Sequence, residues 1–245
     1  MKILLAPSET KTEGGTKELE LNSLLFKELT PVRENLIKEY QNIIDSSTLD
    51  DLKLFFGIKK ESEISKYMVK LLKLPTKKAI KRYSGVAFDY LDYSSLNSDA
   101  VEYIDNNLIL FSNLFGVLRA SDYIPDYRVK QGSDLGDIKV DKLYNKELKE
   151  LLDNYLENED ILDIRAGYYN KFYKPAKKYT TLKFLKNGKV VSHWAKAYRG
   201  LVLRHCALNR VESIDEFIKL NIPQLDILEI RDSKTKQEII YEISD

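Results

Sequence analysis

From Arg165 to Arg210 the chain runs 46 residues without one Asp or Glu, while twelve Lys or Arg accumulate: Arg165, Lys171, Lys174, Lys177, Lys178, Lys183, Lys186, Lys189, Lys196, Arg199, Arg204 and Arg210. At the chain's mean composition about seven acids would fall there. A net charge of +1 over 245 residues therefore leaves −11 on everything outside the segment. Twelve cations with no carboxylate of their own cannot all be packed inside a core. The segment has to form a surface, either against acids supplied from elsewhere in the chain or facing an external polyanion. Nucleic acid is the polyanion such a patch most often serves. Tyr168, Tyr169, Phe172, Tyr173, Tyr179, Phe184, Trp194 and Tyr198 are interleaved with the cations. That mixture would let bases stack while phosphates are neutralised. The competing reading is that many of these rings are core and the cations form an ordinary solvated face.

A 43% hydrophobic share in 245 residues is enough for a sizeable core and argues against whole-chain disorder. No stretch approaches the roughly 18 apolar residues that a membrane-spanning helix needs, and Met1-Lys2-Ile3-Leu4-Leu5-Ala6-Pro7 is too short to read as a signal peptide. Cys206 is the single cysteine, so an internal disulfide framework or a Cys-rich metal cluster is excluded. A reducing cytoplasm is the expected setting. With two histidines and one cysteine, no soft-ligand metal site and no cofactor are expected.

The order of local signals sets the fold class. Ile3-Leu4-Leu5-Ala6 reads as a short buried strand stopped by Pro7. Val32, Leu36, Ile37, Tyr40, Ile43 and Ile44 recur at helical spacing behind Pro31. Thr48 caps a short helix that Gly57 ends, and Ile64 to Leu72 reads as a further helix. Ala79 to Tyr83 and Val86 to Leu91 look β-like or irregular around Gly85. A helix from Asn97-Ser98 leads to the apolar run Leu108–Phe111. Leu143 to Leu156 is helical, and Ile161-Leu162-Asp163-Ile164 is a buried strand. Asn187-Gly188 joins two strands as a hairpin. Ala195 to Leu208 is helical, Ser213 to Glu216 opens a last helix, and Leu225–Ile230 with Glu238–Ile243 forms a terminal hairpin. Strands and helices mix without regular βαβ alternation and without a linker. The expected architecture is α+β, a single mixed domain over residues 1–245 with its basic segment at 165–210.

Two constellations could carry chemistry. On the helix after the hairpin, Lys196, Arg199, Arg204 and Arg210 fall within about 140° of one another at 100° per residue. Gly200 and Ala207 lie inside that arc, where small side chains would let a phosphate backbone come close; Leu203 is the misfit. The other reading is an amphipathic helix with a basic solvent face. Upstream, Gly116 marks a turn in Leu114-Phe115-Gly116-Val117-Leu118-Arg119, from which Arg119 and, further on, Arg128 would leave as anion ligands. Leu114-Phe115-Gly116 is also similar to the hairpin of a helix-hairpin-helix module, with Asn113 in place of its first glycine. Nucleophilic chemistry finds less support. His205 and Cys206 diverge by about 100° on one helix, and Cys206 reads as a packing residue.

Several segments together resemble the YaaA family of bacterial peroxide stress resistance proteins. Ile3-Leu4-Leu5-Ala6-Pro7-Ser8-Glu9-Thr10 resembles the family's opening strand and its Ser-Pro-Ala-Lys-Thr loop. Leu114 to Arg119, then Asp122 and Tyr127-Arg128, resembles its Leu-Tyr-Gly-Val-Leu-Arg-Pro…Asp…Tyr-Arg signature. Asp163 to Phe172 is similar to an Asn-Leu-Ala-Ser-x-Glu-Tyr segment, and Ala195-Lys196-Ala197-Tyr198-Arg199-Gly200-Leu201 to Ala-Lys-x-x-Arg-Gly-Leu, with Asn209-Arg210 following. The departures are Glu9 for lysine, Asn113 for glycine, Ala120 for proline, and Tyr168-Tyr169 for an acidic residue and tyrosine. The resemblance implies a cytoplasmic protein that limits hydrogen peroxide damage, is associated with lower free intracellular iron, and binds DNA in a positively charged cleft of an unusual mixed α/β fold.

The resulting expectation is a DNA-binding protective protein without base-specific readout. Its phosphate contacts would be Arg119, Arg128, Lys171, Lys174, Lys196, Arg199, Arg204 and Arg210, with Gly116 and Gly200 permitting close approach and Tyr169 or Tyr173 stacking. The rival is an enzyme acting on a nucleic acid or phosphorylated small molecule in the same cleft, with Ser8, Asp122 or His193 as reacting groups. Direct iron sequestration is a third reading, which the ligand inventory does not favour.

Overall fold

Both faces of the strand β1 (Lys2–Leu5) are covered from Ile3 onward, which is why Ile3-Leu4-Leu5 is an unbroken apolar run rather than an alternating one. In the computed structural model, which describes residues 1–191 and 194–244, this strand is an inner strand of a mixed sheet. The remaining strands are β2 (Lys77–Lys78), β3 (Leu108–Ser112), β4 (Gly116–Arg119), β5 (Tyr123–Ile124), β6 (Ile161–Asp163), β7 (Tyr179–Lys186), β8 (Lys189–Val190), β9 (Leu225–Asp232) and β10 (Lys236–Ile243). Spatial order in the large sheet is β4-β3-β1-β6-β7-β10-β9, with β8 paired to β7 beyond the end of β6. The five inner strands β3, β1, β6, β7 and β10 are parallel, while β4 and β9 close the edges antiparallel. Ile3 stands opposite Leu108 on one side and Leu162 on the other. β2 and β5 make a separate two-stranded ribbon.

The helices are α1 (Thr30–Ser46), α2 (Leu49–Phe56), α3 (Glu61–Ile64), α4 (Ala79–Arg82), α5 (Val86–Leu91), α6 (Ser98–Asn107), α7 (Val140–Tyr155), α8 (Trp194–Leu208) and α9 (Ile214–Lys219). Local signals account for many boundaries. Thr48 and Asp51 form a reciprocal capping box at the start of α2, and Gly57 ends it with φ 65°. Asn187 and Gly188 both take positive φ, as a two-residue hairpin turn between β7 and β8 requires. The mixed α+β architecture is the one the order of elements implies.

Three expectations fail. The run from Ile64 to Leu72 is not one helix; α3 ends at Ile64 and two short 3₁₀ turns follow, at Ser65–Tyr67 and Leu71–Lys73. Ala79–Arg82 and Val86–Leu91, expected as β-like, are the helices α4 and α5. Gly85, with φ 107°, resets the backbone between them. Leu114-Phe115-Gly116 joins β3 to β4 as a strand hairpin, not a helix-hairpin-helix.

Two arginines outside the basic segment serve as internal struts. Arg33 is fully buried and donates to the carbonyls of Leu25, Phe26, Phe115 and Val117. Arg82, equally buried, donates to those of Thr12, Gly14, Pro75 and Ile124. Each gathers loop carbonyls that would otherwise lie buried and unbonded.

Candidate functional site: a cleft at the carboxyl ends of β1 and β6

In open sheets of parallel strands, ligands sit outside the strands' carboxyl ends, where successive loops diverge. Here the loops after β1 (residues 6–10) and β6 (164–166) part to leave a cleft of about 380 Å³. The start of α5 (Gly85–Phe88), Arg128 with Gln131, Tyr169, and Lys196 with Arg199 from α8 complete its walls.

Each wall is held by identifiable bonds. Arg165, first cation of the basic segment, is buried and meets Asp163 at two points, Nε to Oδ1 at 2.8 Å and Nη2 to Oδ2 at 2.6 Å. Its guanidinium also donates to the carbonyls of Tyr169 and Tyr173, so it shapes the turn behind β6 rather than facing solvent. Arg128 ties three segments together, donating to Phe56 O at 2.9 Å, Glu9 O at 3.4 Å and the Glu9 carboxylate at 3.3 Å. The other oxygen of Glu9 accepts the Gln131 N–H at 2.9 Å. Beneath this loop the Lys11 ammonium sits 4.0 Å over the Tyr127 ring and donates to Ser8 O and Glu9 O. Burial drives its pKa down to about 7, although Asp126 pulls the other way.

Arg199 differs from every other arginine just named. It is half-buried, and among the described residues no carboxylate lies within ion-pair distance and no acceptor takes its hydrogen bonds. Burial lowers its pKa, with Asp163 opposing. Lys196, exposed one turn earlier, likewise has no ion-pair partner among the described residues. An unpaired, partly desolvated guanidinium aimed into a cleft is costly unless an anion arrives.

The structure separates the expected site residues. Arg128, Lys196 and Arg199 share the cleft. Lys171, whose ammonium lies 5.2 Å over the Tyr168 ring, and Lys174 stand exposed on the turn that carries Tyr169. Arg210 is exposed just past the end of α8. Arg119 is elsewhere. It pairs with Ile109 near the start of β3, about 10 Å from the cleft end of that strand at 3.3 Å per residue, and it bonds Asp122 and Ser23 O. Arg204 donates to the carbonyls of Leu91 and Asp92, closing the end of α5.

Both glycines are packed against other parts of the chain. Gly116 is buried with φ 78°, and a Cβ there would strike the Tyr144 ring. Gly200 is buried where α8 crosses α5, and a Cβ would strike the Ala87 carbonyl. The arc that contains Gly200, Leu203 and Ala207 is therefore the seat for neighbouring helices, which also explains why Leu203 belongs to it. The segment's charge segregation is partly repaired by the fold, since Arg165 pairs with Asp163 and Lys178 with Asp232, while Lys177 donates to the backbone carbonyls of Glu157 and Glu159. Of its aromatics, Tyr169 and Tyr173 are each 2% exposed and offer no stacking face, whereas Trp194, 50% exposed, does.

The expected reacting groups fare unequally. Asp122 is spent on structure, accepting from Leu25 N, Arg119 N and the Arg119 guanidinium. Ser8 lines the cleft, but Thr10 Oγ1 gives its proton to Ser84 O, so Ser8 Oγ must give its own to Thr10. No base within hydrogen-bond reach activates it among the described residues. His193 lies outside the described residues. Cys206 is fully buried, which raises its thiol pKa. Among the described residues no three His, Cys, Asp or Glu side chains gather as a metal site would need, and no helix is long and apolar enough to cross a membrane. Sequence reasoning missed Glu9 and Lys11 as cleft-shaping groups; their signal was the density of polar side chains directly after a buried strand.

The family model described as peroxide stress protein YaaA matches residues 1–229. An uncharacterized protein of Campylobacter jejuni is 46% identical over the full length of both chains. A UPF0246 protein of Corynebacterium glutamicum is 32% identical over 98% of each chain, and one of Corynebacterium efficiens is 36% identical over 87% of each. A cleft built from the segments after β1, before α5, before α7, after β6 and at the head of α8 thus sits in a chain that belongs to the YaaA peroxide stress protein family, UPF0246.

Proposed function

We propose that this chain serves in peroxide stress by binding DNA through phosphate contacts, without reading base sequence, and that its association with lower free intracellular iron accompanies that role. The observation that carries the reading is Arg199, a half-buried guanidinium with no acceptor among the described residues, set beside Lys196 and Arg128 in one cleft. Lys171 and Lys174 extend the positive charge along the adjoining turn, and Trp194 supplies an exposed ring in the first turn of α8. Phosphates can be neutralised by such a surface while base edges go unread.

Binding of a fluorescent duplex should fall steeply with salt. With about four phosphates neutralised, affinity drops roughly a hundredfold between 50 and 200 mM. The Lys196→Gln, Arg199→Gln double variant should flatten the logarithmic slope by about 2. Affinity independent of salt, or a double variant with the wild-type slope, would overturn the reading.

A second reading, an enzyme acting on a nucleic acid or phosphorylated small molecule in this cleft, is favoured by Lys11. A lysine whose pKa falls to about 7 beneath the cleft loop is tuned as acid–base groups are. Turnover of a phosphorylated substrate that Lys11→Met abolishes would establish it.

A further inference from the structure

The cleft is small and three of its walls are loops tied down from behind. About 380 Å³ falls within the range of pockets for small organic ligands. A double helix can set a backbone phosphate at the mouth, but its much wider body cannot enter. The lining is mixed: Leu5, Val86, Phe88, Ile164 and Ala166 are apolar, while Arg128, Lys196 and Arg199 bring positive charge. A ligand fitting both would have an anionic head and a compact, largely uncharged remainder.

Glu9 defines how the head would be received. Its carboxylate lies 3.3 Å from Arg128 Nη2 and 2.9 Å from the Gln131 N–H, two donors that a phosphate would also seek. The carboxylate is thus an internal anion seated among the cleft's donors. Arg199 and Lys196 line the same cleft and have no ion-pair partner among the described residues. Arg128 keeps its bond to Phe56 O, so its guanidinium stays in place if Glu9 swings away.

We infer that the cleft is a seat for one phosphate-bearing unit of nucleotide size, held by Arg199 and Lys196, with Glu9 yielding Arg128 to the incoming phosphate. The inference rests on the DNA-binding reading only for its setting, since a free nucleotide and an unpaired nucleotide of a strand present the same chemistry. Glu9 then acts as a competitor that weakens phosphate binding and rejects ligands too weakly charged to displace it.

The test is calorimetric titration with 2′-deoxyadenosine 5′-monophosphate, with deoxyadenosine as the phosphate-free control. The wild type should bind the nucleotide and not the nucleoside. Arg199→Gln should weaken binding at least tenfold. Lys196→Gln, at an exposed position where folding is not at stake, should weaken it several-fold. Glu9→Gln keeps an acceptor for Gln131 N–H but loses the charge, and should tighten binding several-fold. No nucleotide binding by either wild type or Glu9→Gln, or binding that Arg199→Gln leaves unchanged, overturns the inference.

Duplexes with and without one unpaired nucleotide separate this inference from the reading it rests on. Preference for the unpaired position, reversed by added nucleotide, supports it. Equal binding of both duplexes, undisturbed by nucleotide, overturns the cleft seat and leaves DNA binding to the surrounding surface. Nucleotide binding with no DNA binding at any salt supports the seat and overturns the DNA reading.

Discussion

Asn113 Oδ1 accepts the Tyr169 hydroxyl at 3.0 Å, joining the β3–β4 hairpin to the turn that walls the cleft. Both residues are nearly buried, so the bond is shielded from water. Asn113 also donates to Val129 O. Asn113, which departs from the glycine of the resembled signature, therefore has a structural partner in the turn that carries Tyr169.

Asn113→Gly should leave the Tyr169 hydroxyl buried without its acceptor and free the backbone of the hairpin. The expected loss is about 1–3 kcal/mol, read as a lower urea midpoint with an unchanged slope. An unchanged midpoint would mean that water takes the place of the amide.

Gly200→Ala drives a methyl group into the Ala87 carbonyl, which belongs to backbone and cannot swing aside. Separating α8 from α5 should cost about 1–3 kcal/mol and lower Tm by several degrees at roughly 2–4 °C per kcal/mol. Because α8 carries Lys196 and Arg199, anion affinity should fall as well. A wild-type Tm would contradict the packing role.

Lys11 gives folding a pH dependence with a definite sign. Its folded pKa, about 7, lies below the ordinary lysine value of 10.5. Between those values the unfolded chain binds the proton and the native one does not, so stability rises with pH across that window. Below pH 7 both states hold the proton, and the buried ammonium's cost is fully present. Lys11→Met keeps an apolar stem against Tyr127 and should be more stable than wild type at pH 6.5, with a flatter rise toward pH 9. A variant less stable at both pH values would show that the bonds to Ser8 O and Glu9 O outweigh desolvation.

Cys206 should be inert. It is fully buried and its thiol is pushed far from the thiolate range, so neither a thiol reagent nor millimolar peroxide should modify it in the native protein. Mass spectrometry after peroxide treatment checks this; a sulfenic acid at Cys206 under native conditions would overturn it.

Features encoded by one or two neighbouring residues were legible from sequence: the Thr48 cap, the Gly57 stop, the Asn187-Gly188 turn and the buried run of β1. The 79–91 region was not, because its helices are only four and six residues long and hydrophobic periodicity needs several turns to register. At the site, the segment that carries Lys196 and Arg199 was visible as a charge imbalance. Which of its cations would remain unpaired was not, since that depends on carbonyls and carboxylates supplied by distant parts of the chain. Arg204 illustrates this: on the helical wheel it belongs with Arg199, yet the end of α5 takes its donors. Gly200 and Ala207 misled for a related reason, because small residues serve close approach of a helix as readily as of a phosphate.

The cleft draws its walls from residues 5–10, 85–88, 128–131, 164–169 and 196–199, segments spread over most of the sequence. A ribosome-bound chain that has emerged only as far as β7 has four of these five parts and lacks Lys196 and Arg199 of α8. Nor does any local stretch, however well formed, supply an anion seat in isolation. Completion of the cleft is therefore a late event in synthesis and folding, because its last wall waits for α8 to join segments laid down far earlier in the chain.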